Sequence, residues 1–372
     1  MIWIALGLII CLLAGFWIAL KARNIDIWFY GYLRQSLRPP LSSNNKKRHV
    51  YFCLADHFEP YYGGADRDRA RSLVERWVTE YRRMAPKHFD SNGRQPQHSY
   101  FYPVEEYDEW VLDQLAQICH EGLGDVDIHL HHDNDNAENL AHTLDEFKTL
   151  LHERHGLLRK NEQGVIVYGF IHGNWALDNS RPDGRWCGVD NEIDVLLDTG
   201  CVYDMTMPSA PSDTQTRLIN SIYFAREDGR AKSHDTGRPA RVGEWADERE
   251  LLMIQGPLSL NWKNRKFGLL PRVENGDLSA DLPPDRSRIR RWIRCGITIR
   301  GAEDHVFIKL YTHGLQRENL EMFFDQRGFD RLYSGLEREF RDSDDYDLHY
   351  LSAWEMYQRI RSLCHKDVEL RP

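Results

Sequence analysis

Between residues 48 and 313 the chain repeats one pattern: a short apolar run, a polar or charged residue at its end, then a stretch of helical periodicity. The runs at 49–55, 99–102, 126–131, 165–171, 202–207, 252–255 and 306–311 have strand length. Stretches with helical spacing at 66–84, 105–121 and 137–155 separate the first of them. Strands joined through helices lie parallel, because the crossover carries the chain back to the end it started from. The position of the reactive side chains narrows the fold further. Asp56, His129, His172, Asp204 and His313 all stand at or near the C-terminal ends of these runs. In a parallel barrel those ends share one rim, and the rim carries the site. The expected fold is α/β: an irregular (β/α) barrel of about seven strands spanning 48–372.

The densest cluster is Asp127-Ile128-His129-Leu130-His131-His132-Asp133-Asn134-Asp135. Side chains alternate along a strand, so His129, His131 and Asp133 are expected on one face and His132 on the other, as a bystander. Imidazole with carboxylate suits a divalent metal, zinc foremost. A zinc hydrolase needs three protein ligands, an open position, a base and an acid. His57, His129, His131 and Asp133 are the candidate ligands, Asp56 the candidate base and His313 the candidate acid. Two segments at strand ends, His172-Gly173-Asn174-Trp175 and the one containing Asp204, offer substrate contacts through His172, Asn174, Trp175 and Asp204.

Leu54-Ala55-Asp56-His57-Phe58, His129 with Asp133 four residues on, and Leu310-Tyr311-Thr312-His313 together resemble the motifs of the polysaccharide deacetylase superfamily, the NodB-homology proteins. The family pairs two aspartates after its first strand, and here His57 stands in the second place. Its two histidines four apart are matched by His129 and Asp133, with His131 as a further donor. Its closing Leu-x-His is matched with one extra residue before His313. The resemblance covers 48–314 and implies metal-assisted removal of an acetyl group from a polysaccharide or glycan precursor. It casts Asp56 as base and His313 as acid. The segment 214–249 is a candidate lid. Two other readings compete: a glycoside hydrolase using two carboxylates such as Asp56 and Asp204, and a non-catalytic, membrane-anchored glycan-binding scaffold with a degenerate metal site.

Residues 1–20 carry no charge and have the length of a bilayer-crossing helix. The basic residues follow the run, at Lys21, Arg23, Arg34, Arg38 and 46–48, which favours an uncleaved anchor and a cytoplasmic C-terminal side. Residues 21–47 then form a juxtamembrane piece and a linker containing Pro39-Pro40 and Ser42-Ser43-Asn44-Asn45. A net charge of −9 gives no basis for a nucleic-acid partner. The seven cysteines show no CxxC pair, so neither a disulfide framework nor a cysteine zinc site is expected.

Overall fold

The computed structural model describes residues 2–36, 47–266, 268 and 270–365, so the Pro39–Asn45 linker lies outside the described residues. Its main sheet has twelve strands. Those longer than two residues are β1 (Arg48–His57), β2 (His98–Pro103), β3 (Gly124–Leu130), β4 (Ile166–His172), β5 (Cys201–Asp204), β6 (Ile222–Ala225), β7 (Leu251–Ile254), β8 (Ala302–Thr312) and β9 (Tyr346–Tyr350). The hydrogen-bonded order is β8-β1-β2-β3-β4-β5-β7-β6. Every pairing in that order is parallel except β7 with β6. Outside this sheet, Ser259–Lys266 and Leu270–Glu274 form an antiparallel pair.

The sheet stays open, which corrects the closed barrel expected from the alternation. Its edges are the two-residue strands Thr298–Ile299 and Arg238–Pro239. Among the described residues they approach one another through an isolated bridge, Arg241 to Arg300, too short for a ladder. The sheet also forks at β1. Residues Arg48–Phe52 pair with β9, whereas Ala55–His57 pair with β2. A simple cyclic strand order cannot contain that fork.

The N-terminal anchor is corrected as well. Helix α1 (Ile2–Lys21) forms over the apolar run, yet among the described residues no helix is long and apolar enough to cross a membrane. The chain turns at Ala22–Asn24 into α2 (Ile25–Ser36). Phe16 meets Phe29 edge-on, and Leu20, Ile25 and Trp28 are buried with Ala210, Leu258 and Leu260. The run thus ends in packing against the folded domain. A membrane partner and a cytoplasmic sidedness, both argued from a spanning helix, lose that basis.

The remaining helices are α3 (Arg67–Met84), α4 (Glu109–His120), α5 (Ala137–His155), α6 (Glu192–Asp198), α7 (Arg286–Arg294), α8 (Arg317–Phe324), α9 (Gly328–Leu336) and α10 (Ala353–Cys364). Their starts follow local chemistry. Asp66 caps α3 through the Arg69 N–H, Asp108 caps α4, and Ser352 with Glu355 forms a capping box on α10.

Strands buried on both faces read as continuous apolar runs, and β1 is buried from Val50 to His57. Its alternate side chains enter two separate cores. Val50, Phe52 and Leu54 join Val74, Trp77 and Val78 of α3 and Leu140 and Leu144 of α5 on the outer face. Tyr51, Cys53 and Ala55 join Met356, Tyr357 and Ile360 of α10 on the opposite face. The same parity holds in β3, where Val126, Ile128 and Leu130 face outward, and in β4, where Tyr168 and Phe170 do while Ile171 faces α10.

Candidate metal centre at the strand ends

His57 continues the Tyr51, Cys53, Ala55 series, so it emerges on the α10 face where β1 ends. Glu59 keeps that side two residues on and is 6% exposed. His129, the penultimate residue of β3, arrives on the same face. The donor atoms of His57, Glu59 and His129 all lie within 4.8 Å of one another, a grouping that could hold a metal ion. Glu59 Oε1 is 3.3 Å from His129 Nε2 and 3.4 Å from His131 Nε2.

The outer contacts orient these rings. His129 Nδ1–H donates to the Ile171 carbonyl at 2.7 Å, which turns its Nε2 toward Glu59 Oε1 at 3.3 Å. His131 is held from behind by Glu105, which contacts its Nδ1. Such carboxylate and carbonyl backing is the usual second layer around a ligating histidine. The rings of His129 and His313 lie 4.7 and 4.6 Å from that of His57. Burial, followed by the adjacent His313, His129 and His131, holds His57 well below the usual imidazole range. Burial alone would raise Glu59, but the His129 hydrogen bond and the surrounding histidines bring it below the ordinary carboxylate value. A neutral imidazole beside an ionised carboxylate is the protonation state that metal ligands require.

His57, Glu59 and His131 open onto a pocket of about 770 Å³, with His129 buried behind them. Tyr61, Tyr62, Asn174, Trp175, Tyr311 and His313 contribute to its walls, as do Glu106 and Asp277. Glu106 is pushed up to about 7, chiefly by burial and then by Glu59 and Glu105, against the opposing Tyr61 N–H bond. Burial also raises Asp277.

Of the residues expected from sequence, His57, His129, His131, His313, Asn174 and Trp175 meet here. Asp56 does not. It has the opposite parity on β1, is fully buried, and accepts the Gly314 N–H at 2.7 Å while contacting His98 Nε2 at 2.9 Å. Asp133 lies past the end of β3, where strand parity no longer applies, and accepts the Trp186 N–H at 2.6 Å. Asp204 is buried and occupied by Thr206, through its N–H at 2.9 Å and its Oγ1 at 2.7 Å. His172 is fully buried on the outer face, away from the pocket. There it joins His132, Cys187 and Glu192 in a second group able to hold an ion.

Sequence reasoning missed Glu59, Glu106 and Asp277. The His57-x-Glu59 spacing was the available signal for the first. Nothing local marks the other two, which reach the pocket through tertiary packing. No family model matches the chain, and no curated protein matches it either. The likeness to polysaccharide deacetylases therefore rests on the quoted motifs alone.

Proposed function

We propose that this chain is a metal-dependent hydrolase that removes an acetyl group from a carbohydrate, as its motif likeness to polysaccharide deacetylases implies. The supporting observation is the convergence of His57, Glu59 and His129 beside an open pocket with His313 at its wall. Imidazoles with one carboxylate suit zinc, and three protein ligands facing open space are the catalytic pattern. When bound, such a metal supplies Lewis acidity toward a carbonyl oxygen and a water.

The protein's own groups account for binding and proton transfer. His57, Glu59 and His129 would hold the metal, with the His131 Nε2 next in reach. His313 would give a proton to a departing amine or alcohol, and the Glu106 carboxyl holds or releases one near neutral pH. Tyr61, Tyr62 and Trp175 offer stacking planes, while Asn174 offers a hydrogen-bonding amide, a mixture suited to a sugar. The glycosidase pairing of Asp56 with Asp204 has no such support, since both carboxylates are buried and occupied elsewhere.

The test combines acetate release from acetylated glycans with elemental analysis of the purified protein. His313→Asn is expected to lower turnover about 10²- to 10⁴-fold while keeping the metal. Glu59→Gln is expected to lose turnover and the pocket's equivalent of metal. Full activity in His313→Asn would remove its role as acid, and a metal content unchanged by Glu59→Gln would remove the centre.

A further inference from the structure

We infer that the outer face of the sheet carries a second, closed site for a zinc-type cation, built from His132, His172, Cys187 and Glu192. Its ligands come from four places: the loop after β3, the last residue of β4, the loop after it, and the first residue of α6. The four donor atoms lie within 4.8 Å of one another. Glu192 Oε1 is 3.3 Å from His132 Nε2 and 3.5 Å from His172 Nε2, and its Oε2 is 3.4 Å from Cys187 Sγ. Ligands of a tetrahedral zinc, at about 2.0 Å for nitrogen and 2.3 Å for sulfur, stand roughly 3.3–3.8 Å apart. The closest donors already have that spacing.

Each donor is also held from behind. His132 Nδ1 contacts Asp135 Oδ2 at 3.1 Å, and His172 Nδ1–H donates to the Gly173 carbonyl at 2.6 Å. The second bond turns the His172 Nε2 lone pair inward. Glu192 Oε2 accepts the Asp178 N–H at 2.5 Å. Cys187 Sγ accepts N–H groups from Asn179 at 3.3 Å and Val189 at 3.5 Å, and its thiol proton points to Glu192 Oε2, the proton a bound cation would displace. The independent pointer to a ligand is His172 Nε2 itself, which is fully buried and has no hydrogen-bond partner. Glu192 Oε1 stands 3.5 Å from it, and two buried acceptors so close are reconciled by a cation or a proton between them; a metal ion also accounts for the inward-facing His132 and Cys187 donors.

The site differs in kind from the pocket. It has four protein ligands, and the side chains of His132, His172 and Glu192 are at most 7% exposed, which leaves no place for a substrate. A mixed sulfur, nitrogen and oxygen set selects zinc over magnesium or calcium. Its role is to fasten the loop that follows β4, which delivers Asn174 and Trp175 to the pocket. That loop docks closely: Cys187 O accepts the Asp135 N–H at 2.9 Å, and a Cβ on Gly188 would lie 2.7 Å from the same nitrogen.

Cobalt(II) titration of the metal-free full chain tests this without reference to activity. Two equivalents should bind, one of them producing a sulfur-to-metal charge-transfer band. That band should vanish in Cys187→Ser and persist in His129→Ala. A saturated protein without the band overturns the site, and so does a band that survives in Cys187→Ser. Should that variant fail to fold, the zinc absorption edge of the wild-type protein decides, through a sulfur shell at about 2.3 Å. A shell of nitrogen and oxygen only overturns the assignment. One equivalent with the sulfur signature keeps this site and sinks the pocket centre; one equivalent without it does the reverse.

Discussion

Asp56 and His57 are neighbours in sequence that face opposite ways, and their separation decides what each can do. Asp56 supports the end of β8 through the Gly314 N–H and cannot reach a substrate. Replacing it with alanine strands a buried donor and should cost about 2–3 kcal/mol. Denaturant midpoints at an unchanged slope would measure this, and the pocket metal should be retained. Gly173 is a second position where one atom matters. A Cβ there would lie 2.3 Å from the His131 ring and 2.7 Å from the Leu130 carbonyl. Gly173→Ala should therefore displace His131 and weaken metal binding at the pocket about 10- to 100-fold, as other disturbed ligand supports do. Competition with a chelator would show the change. At this scale the sequence told most where the strand continues. The face shared by His129 and His131 was legible from period two. Asp133 leaves the expected face because the strand stops at Leu130, and the opposite parity of His132 sends it to a second cluster rather than leaving it a bystander.

The elements bring together residues that no local pattern joins. Cys187 and Glu192 lie more than fifty residues from His132, in a loop and at a helix start, so neither spacing nor composition marks them as partners. The opposite ends of the strands hold another such assembly. β1, β8 and β9 place His49, His305 and His349 side by side, with His49 stacked on His305 at 4.8 Å and 5.3 Å from His349. Burial is the main cause that lowers all three, and Arg359 adds to it; Asp304, Asp347 and Asp90 oppose. His305 and His349 fall to about 4. An unfolded histidine titrates near about 6.5. Above that value the rings are neutral in both states. As pH falls below it the unfolded chain takes up protons first, so stability declines until about pH 4 and then levels. Urea midpoints at about pH 7.5 and about pH 5 should differ less in a double His305→Gln, His349→Gln variant than in the wild type. An equal loss in both would show that the stack is not the titrating element.

For the whole molecule, parallel strands with helical crossovers were legible from 49 to about 204, and so was the convergence of strand ends; beyond that the strand Ile222–Ala225 enters antiparallel with no helix before it. Closure was not. The fork at β1 and the two-residue edges arise from β9 and from the segment around 238–300, whose pairing depends on contacts distant in sequence. With an open pocket on one face and a closed cluster on the other, the two proposed ions should leave at different rates. A chelator is expected to strip the pocket metal first, with activity, and the thiolate-bound metal later, with loss of the folded loop. Simultaneous release of both would contradict that division.

The pairing of β3 with β4 has a consequence beyond chemistry. His129 stands opposite Ile171 and Leu130 opposite His172. A slip of one residue would exchange the faces, sending Leu130 toward the pocket and His131 into the outer layer. Neither ion could then find its ligands. Bound metal would therefore act as a proofreader of strand alignment, rewarding only the chains whose sheet has zipped in the correct frame.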